Sequence, residues 1–467
     1  MRNMTLSAMA WAVSGVLCNE EKSDLLKEAS MVTIDSRQIE QEGVFVATKG
    51  ARVDGHDFIN QVFEKGALCV ICEKAPQKAK GPYILVDDSF QALKDLASYY
   101  RSQLSIKVVG IIGSMGKTST KEMVAAVLSA HYNVLKTEGN FNNEVGVPLT
   151  IFRIRDAHEV AVIEMGISQF GEMERLGAIV RPDMVVFTCV GPCHLEFLGD
   201  LDGVLKAKSE VILSMAEKGV LVLNGQDEKL KLIDKSIAGN RKIIRFGSNS
   251  EEDDVYATEK TSLGLEGSKF MANFPDGSHY EMVVPLPGIH MVDNGLAAAA
   301  VGFEMGLNLE EIRRGMAGVT ALSGRGHLIH TNKYLIVDDC YNANPKSVCA
   351  AIDIMQEALG RKVAILGDMF ELGEDSDKLH REVGEYAATK GIDSLICVGS
   401  NSKHMYEAAR HYENLELRYY PNKEVLMKAL SDETKEILRE GDSILLKASH
   451  GMGFAEVVSM LTEKGNE

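Results

Sequence analysis

Short apolar runs recur along the whole chain, and stretches with helical spacing separate them. In the first hundred residues the runs are 43–48, 68–72 and 83–86, with a helical stretch at 58–65 between the first two. From Lys107 a hydrophobic strand leads into a glycine turn and a long helix, where Val124, Val127 and Leu128 recur at i, i+3 and i+4. Further strand-like runs follow at 160–164, 184–188 and 219–223, and a polar stretch with several glycines, 247–278, reads as an irregular β excursion. Beyond Ser323-Gly324-Arg325-Gly326 the alternation resumes, with runs at 334–339, 363–366, 395–399 and 443–447. Strands alternating with helices predict mainly parallel sheets covered on both faces. A chain of 467 residues is too long for one core. The expected architecture is therefore three α/β domains in series, with boundaries at 1–100, 101–322 and 323–467, the last of them Rossmann-like.

The first residues need a separate reading. Arg2 followed by an apolar stretch through Cys18 has the outline of a short signal peptide. However, Leu6, Met9, Ala10 and Val13 fall at helical spacing, and Glu20-Glu21-Lys22 stand where small residues would mark a cleavage site. An amphipathic helix of a cytoplasmic protein is the better reading. No uninterrupted apolar stretch approaches a membrane span, which excludes insertion. The formal net charge of −17 disfavours broad contact with a nucleic-acid backbone, but a local pocket of cations and helix N-termini can still hold a small anion. The eight cysteines are scattered and read as free thiols. Cys69 and Cys72 flank Val70 and Ile71 on a buried run, and Cys189, Cys193 and His194 lack a second pair at zinc-ligand spacing.

The chemistry starts at Val108-Val109-Gly110-Ile111-Ile112-Gly113-Ser114-Met115-Gly116-Lys117-Thr118-Ser119. A buried strand, a glycine turn and a helix N-terminus form a cradle for phosphate. Backbone N–H groups around Gly113 to Ser119 close on the oxygens, Lys117 faces the β- and γ-phosphates, and Thr118 offers a hydroxyl to Mg²⁺. The strict GxxxxGK[ST] spacing would need a glycine at 111, where Ile111 stands. ATP binding is the expectation, although such a loop serves kinases, switches, motors and ligases alike.

The shortened loop resembles that of the Mur ligase family. Thr137-Glu138-Gly139-Asn140-Phe141-Asn142-Asn143-Glu144-Val145-Gly146-Val147-Pro148 is similar to the family's G-N-x-N-N-x-x-G-x-P segment. The resemblance implies that Asn142 and Asn143 lie between ATP and a sugar-peptide substrate. It implies catalytic and metal-binding roles for Glu164 and His194. Lys208, in Ala207-Lys208-Ser209-Glu210, matches a lysine that CO₂ carbamylates to support a second Mg²⁺, and that reaction needs a neutral amine. Asn294, in Gly288-Ile289-His290-Met291-Val292-Asp293-Asn294, matches an adenine contact, with Met291 where the family has asparagine. Arg325 matches an interdomain arginine that reaches the ATP phosphates. Asp339, Tyr341 and Asn342 fall in a D-D-x-Y-N-A-N-P segment beside the nucleotide.

The resemblance also bears on substrate. Ile34-Asp35-Ser36-Arg37, followed by Gly43-Val44-Phe45 and Asp54-Gly55-His56-Asp57-Phe58, looks like a uridine-nucleotide domain, which points to Ser36 and Arg37. Gly367-Asp368-Met369-Phe370-Glu371-Leu372-Gly373, with His380 downstream, resembles the branch that adds D-alanyl-D-alanine to UDP-N-acetylmuramoyl-tripeptide in peptidoglycan precursor synthesis. The D-N-P-R motif of diaminopimelate-adding ligases is absent. Lys447-Ala448-Ser449-His450-Gly451-Met452 departs from K-x-S-R-x-M, because His450 replaces arginine at a place expected near the incoming group. A lysine-type ligase adding the third residue therefore stays open as an alternative, as does a P-loop ATPase acting as a switch. The implied partners are ATP, two Mg²⁺ ions and the two substrates, with the protein acting as a monomer.

Overall fold

The computed structural model describes residues 1–467 except 22–24, 52, 433 and 467, so Lys22 of the N-terminal polar run lies outside the described residues. The apolar runs are strands buried on both faces, as parallel strands between helices must be: every residue of Cys69–Cys72, Val160–Glu164, Met184–Phe187 and Ser443–Lys447 is buried. Among the described residues they form three sheets, of five, nine and six strands.

The first sheet runs Val16–Cys18, Tyr83–Leu85, Cys69–Cys72, Val44–Val46, Val32–Thr33, and only its first strand is antiparallel to its neighbour. The N-terminal stretch forms the helix Leu6–Ala12, capped by Thr5, with Leu6, Met9 and Ala10 inside and Trp11 outside. Burial pushes the Cys72 thiol up to about 11.

The central sheet runs Val134–Lys136, Val160–Glu164, Lys107–Ile112, Met184–Phe187, Val220–Asn224, Lys242–Gly247, Val255–Ser262, Ser268–Asn273, His279–Val284. The first seven are parallel and the last two antiparallel. The stretch 247–278 read as an irregular β excursion is an extension of this sheet, with its register shifted between Thr258 and Thr261. Its strands cover the core with one face only: in Ser268–Asn273 burial alternates strictly, with Ser268, Phe270 and Ala272 inside. Lys269 and Asn273 face outward, and Ser268 is itself polar, so the run does not stand out as apolar. Lys107–Ile112 lies between strands that follow it on opposite sides, so its C-terminal end opens on a crevice of the kind where such sheets bind ligands.

The third sheet runs His327–His330, Leu335–Asp338, Ser443–Lys447, Lys362–Gly367, Ser394–Val398, Glu416–Tyr420, parallel apart from its first strand.

The helix Ser89–Ser102, started by the Asp88 cap, ties the first two sheets together. Leu93, Leu96, Ala97 and Tyr100 are buried in a core continuous from Met4 to Ala238. Tyr100 Oη donates to Ile154 O at 2.6 Å, and buried Arg101 donates to Val180 O at 2.9 Å and Leu104 O at 3.0 Å. Glu144 accepts from Arg175 at 2.6 Å and lies 3.6 Å from Lys94 on this helix. Arg155 reaches back to Ser30 O at 3.2 Å. Among the described residues no helix is long and apolar enough to cross a membrane.

Candidate active site

The phosphate loop follows strand Lys107–Ile112. Gly113 sits at φ 148°, and a Cβ there would come within 1.9 Å of Thr188 Oγ1, so only glycine lets the loop pack onto the end of the neighbouring strand. Gly116, at φ 76°, starts the helix Lys117–Leu128. Thr188 donates into the loop at Met115 O, and Ser114 Oγ both donates to Gly191 O at 3.0 Å and accepts from its N–H at 2.9 Å. Lys117 Nζ donates to Gly113 O at 2.9 Å, which curls the lysine over the loop. The unpaired N–H groups of the helix start and this ammonium together suit an anion. Ser119 lines a small cleft with Glu122, Leu286, Leu322 and Arg325, so the first helical turn faces the expected interdomain arginine.

Glu164 closes its strand beside the loop and is 1% exposed. Its Oε2 accepts from Thr118 Oγ1 at 3.0 Å and its Oε1 from Asn142 Nδ2 at 2.8 Å, while its N–H donates to Thr137 Oγ1 at 3.0 Å. The fully buried Lys121 donates to Thr137 O at 2.8 Å and lies 2.9 Å from Glu122. Asn142 thus holds the carboxylate, and Asn143 Oδ1 accepts from the N–H of Val145 at 3.1 Å and of Gly146 at 2.9 Å to begin the helix Gly146–Ile151. Sequence reasoning missed Thr137 and Thr188, although Thr137 heads the very segment that carries the two asparagines.

His194 has a left-handed backbone, φ 50°, at the start of the short helix Leu195–Leu198. Burial lowers its pKa; the Glu371 charge raises it, and the Lys208 and Lys117 charges lower it further, so the imidazole favours its neutral form. Lys208, on the helix Leu201–Ser209, is 2% exposed. Burial, then the Lys117 charge, bring its pKa down to about 8, which makes the neutral amine accessible.

Lys117, Thr118, Glu164, His194 and Lys208 therefore share one end of the central sheet. Thr118 and Glu164 are hard oxygen donors of the sort Mg²⁺ takes. An ammonium at 208 would repel the ion, whereas a carbamate would add oxygen. Among the described residues no three His, Cys, Asp or Glu side chains converge, so an ion here would take some of its ligands from outside the chain.

Asn294 stands on the helix Met291–Glu304 against the loop helix: its Oδ1 accepts from Thr120 Oγ1 at 3.1 Å, and its Nδ2 donates to Met291 Sδ at 3.4 Å. The methionine that departs from the family pattern thus still supplies an acceptor, though a weak one. In the third domain the Arg325 guanidinium lies 4.0 Å above the Tyr341 ring, whose centroid is 5.3 Å from that of His450. Asp339 accepts from Lys447 Nζ at 2.5 Å, and the same ammonium donates to Asn342 O at 3.1 Å. Lys447, 3% exposed, is thereby the buried pin of the Asp339-to-Asn342 segment, a role its place at a strand end did not reveal. Ser36 and Arg37 lie apart, on the first sheet's side. Arg37 is exposed and held by both oxygens of Asp35, at 2.9 and 2.8 Å, and Lys65 donates to Ser36 O at 2.8 Å.

Comparison with known proteins places this geometry. Residues 28–101 match the Mur ligase family catalytic domain, 111–302 the Mur ligase middle domain, and 324–450 the Mur ligase glutamate ligase domain. The chain is 36% identical to the UDP-N-acetylmuramoyl-tripeptide–D-alanyl-D-alanine ligase of Bacillus subtilis, over 99% of both chains. It is also 36% identical to that of Escherichia coli, over 100% of both. The fold superposes on a crystal structure of MurF from Acinetobacter baumannii with a TM-score of 0.88 at 31% identity, covering 98% of each chain. The MurF ligase from Thermotoga maritima, solved with ADP, gives 0.79 at 28% identity over 93% of this chain and 97% of that one. A phosphate loop, a buried carboxylate on its threonine, and three α/β sheets shared end to end with these relatives lead to one conclusion: the chain belongs to the Mur ligase family.

Proposed function

We propose that the protein is an ATP-dependent, ADP-forming ligase that joins D-alanyl-D-alanine to UDP-N-acetylmuramoyl-tripeptide in peptidoglycan precursor synthesis. The observation that carries this reading is the 36% identity that extends through the third domain, where ligases of this family differ in what they add, to relatives of that activity. Residues 1–100 would hold the uridine end of the substrate through Ser36 and Arg37, 101–322 the ATP, and 323–467 the dipeptide near His450. The compartment that supplies ATP and nucleotide-linked sugars is the cytoplasm, and a monomer carries all three sites.

The residues suit a two-step amide synthesis. A carboxylate oxygen of the tripeptide attacks the γ-phosphorus and ADP leaves, giving an acyl phosphate. The dipeptide amine then attacks the acyl carbon, loses a proton and expels phosphate. Lys117 and the N-terminal N–H groups of its helix bind the β- and γ-phosphates, and Arg325 adds a guanidinium from across the domain boundary. Gly113 to Ser119, Asn294, Asp339, Tyr341 and Asn342 surround the nucleotide in this reading. Thr118, Glu164, His194 and a carbamylated Lys208 would hold two Mg²⁺ ions, which supply Lewis-acid neutralisation of the transferring phosphoryl group. Asn142 keeps Glu164 turned toward Thr118. Closure of the third domain excludes water from the acyl phosphate.

Phosphate release measured with the UDP-tripeptide and a panel of amines tests the proposal. D-alanyl-D-alanine should support turnover and L-lysine or D-alanine should not; turnover with lysine on the UDP-dipeptide would refute it. ATP hydrolysis without either substrate would favour a switch instead.

A further inference from the structure

Glu371 belongs to the third domain, yet its Oε2 lies 3.1 Å from Nδ1 of His194 in the central one. A carboxylate oxygen at that separation repels a lone pair on Nδ1 and attracts an N–H there, so its charge favours the neutral tautomer with the proton on Nδ1 and the free lone pair on Nε2. The loop that presents Glu371 is firmly held. Met369 N–H donates to His380 Nε2 at 3.0 Å, and Phe370 N–H donates to Ser449 Oγ at 2.8 Å. His380 is fully buried, and its Nδ1 is 2.7 Å from Ser376 O, which makes Nδ1 the donor and leaves Nε2 to accept. Glu371 itself sits at φ 62° and His194 at φ 50°, so the contact joins two non-glycine residues in the sparsely populated left-handed region. Such backbones persist where the surroundings impose them. The Glu371 side chain is 70% exposed, and as an ion pair the contact adds little to stability. Its effect is on orientation.

We propose that Glu371 is a positioning residue for the metal site. From the third domain it supplies the outer carboxylate that fixes the ring and tautomer of His194, leaving Nε2 ready for a divalent cation. Ligating histidines are commonly held this way by a carboxylate on the other nitrogen. Here that carboxylate arrives from another domain, so the metal site is complete only when the third domain is docked. The inference rests on His194 as a metal ligand.

The test uses the full chain with ADP, Mn²⁺ as the probe and electron paramagnetic resonance to count free ion. Glu371→Ala should weaken Mn²⁺ about tenfold or more, the usual scale for an outer-shell partner. Glu371→Asn, which tolerates the left-handed backbone but is too short to reach, should weaken it equally. Glu371→Gln, which keeps an acceptor, should weaken it less. Metal-free ADP affinity should not change, which reports an intact fold. Long-range ¹H–¹⁵N spectra, with His194 assigned through His194→Ala, should show the proton on Nδ1 in the parent and a shifted tautomer in Glu371→Ala. If His194→Ala weakens Mn²⁺ while the Glu371 variants stay within twofold of the parent and keep the tautomer, the inference falls and the metal reading stands. If His194→Ala leaves Mn²⁺ affinity unchanged, both fall.

Discussion

Replacing Lys208 by methionine should make the folded protein more stable and inactive at once. The amine is 2% exposed and its pKa is about 8, against 10.5 for a lysine in water. At about 1.4 kcal/mol per tenfold, that gap is a penalty of about 3 kcal/mol on the protonated amine in the folded state. Between pH 8 and 10.5 the unfolded chain binds a proton that the folded chain does not, so stability rises with pH across this window. The penalty is complete below about pH 8 and absent above 10.5. At pH 7 about a tenth of the amine is neutral, against fewer than about one in a thousand for an ordinary lysine. That neutral fraction is what CO₂ can trap, with loss of one proton, as a carbamate. Trapping the neutral form of the folded state stabilises it by mass action. Urea unfolding followed by circular dichroism at pH 7, in CO₂-free buffer, should therefore give a higher free energy for Lys208→Met, by up to about 3 kcal/mol. Bicarbonate should raise the stability of the parent and not of the variant, and ¹³CO₂ should give a carbamate resonance in the parent alone. ADP should still bind the variant, because the loop contacts remain, while ligation is lost. Equal stabilisation of both proteins by bicarbonate, together with no gain from the substitution, would refute the reasoning.

Three further outcomes follow from the site. Lys117→Ala should lower kcat by at least about 10²–10³-fold in the phosphate-release assay, since an ammonium at the β- and γ-phosphates stabilises charge in transfer; near-normal turnover would remove the nucleotide-site assignment. Arg37→Ala should raise KM for the UDP substrate several-fold and leave KM for ATP within twofold, as Arg37 lies on the first sheet's side, and equal changes in both would contradict separate sites. His450→Arg should bind the dipeptide as tightly or more tightly in calorimetry, because a guanidinium pairs with a carboxylate through two hydrogen bonds; a large loss would give His450, beside Tyr341, a role of its own.

The strands buried on both faces were legible because they read as unbroken apolar runs, as Val160–Glu164 and Ser443–Lys447 do. The glycine turn before Lys117 was legible because only glycine meets the demands of Gly113 and Gly116. One-sided and edge strands were not: Ser268–Asn273 alternates, and Val16–Cys18 and Glu416–Tyr420 have no fully buried residue. In the site, residues with a chemical signature in the chain itself (Lys117, Thr118, Glu164) converge as expected. Lys447 on Asp339, Thr137 on Glu164 and Glu371 on His194 were invisible, because each pairing spans domains or elements far apart in sequence and polar side chains carry no periodicity.

The helix Ser89–Ser102, buried in one core with both its neighbours and bonded to Ile154 and Val180, packs the first sheet against the second through a continuous interior. On the proposed reading the nucleotide-sugar is gripped on one side of that helix and the γ-phosphate lies on the other, so this packing would set the span between grip and reacting centre. Such a span would work as a gauge: a peptide one residue short or long would present its carboxylate away from the phosphorus, and chain length would be read before any side chain is recognised.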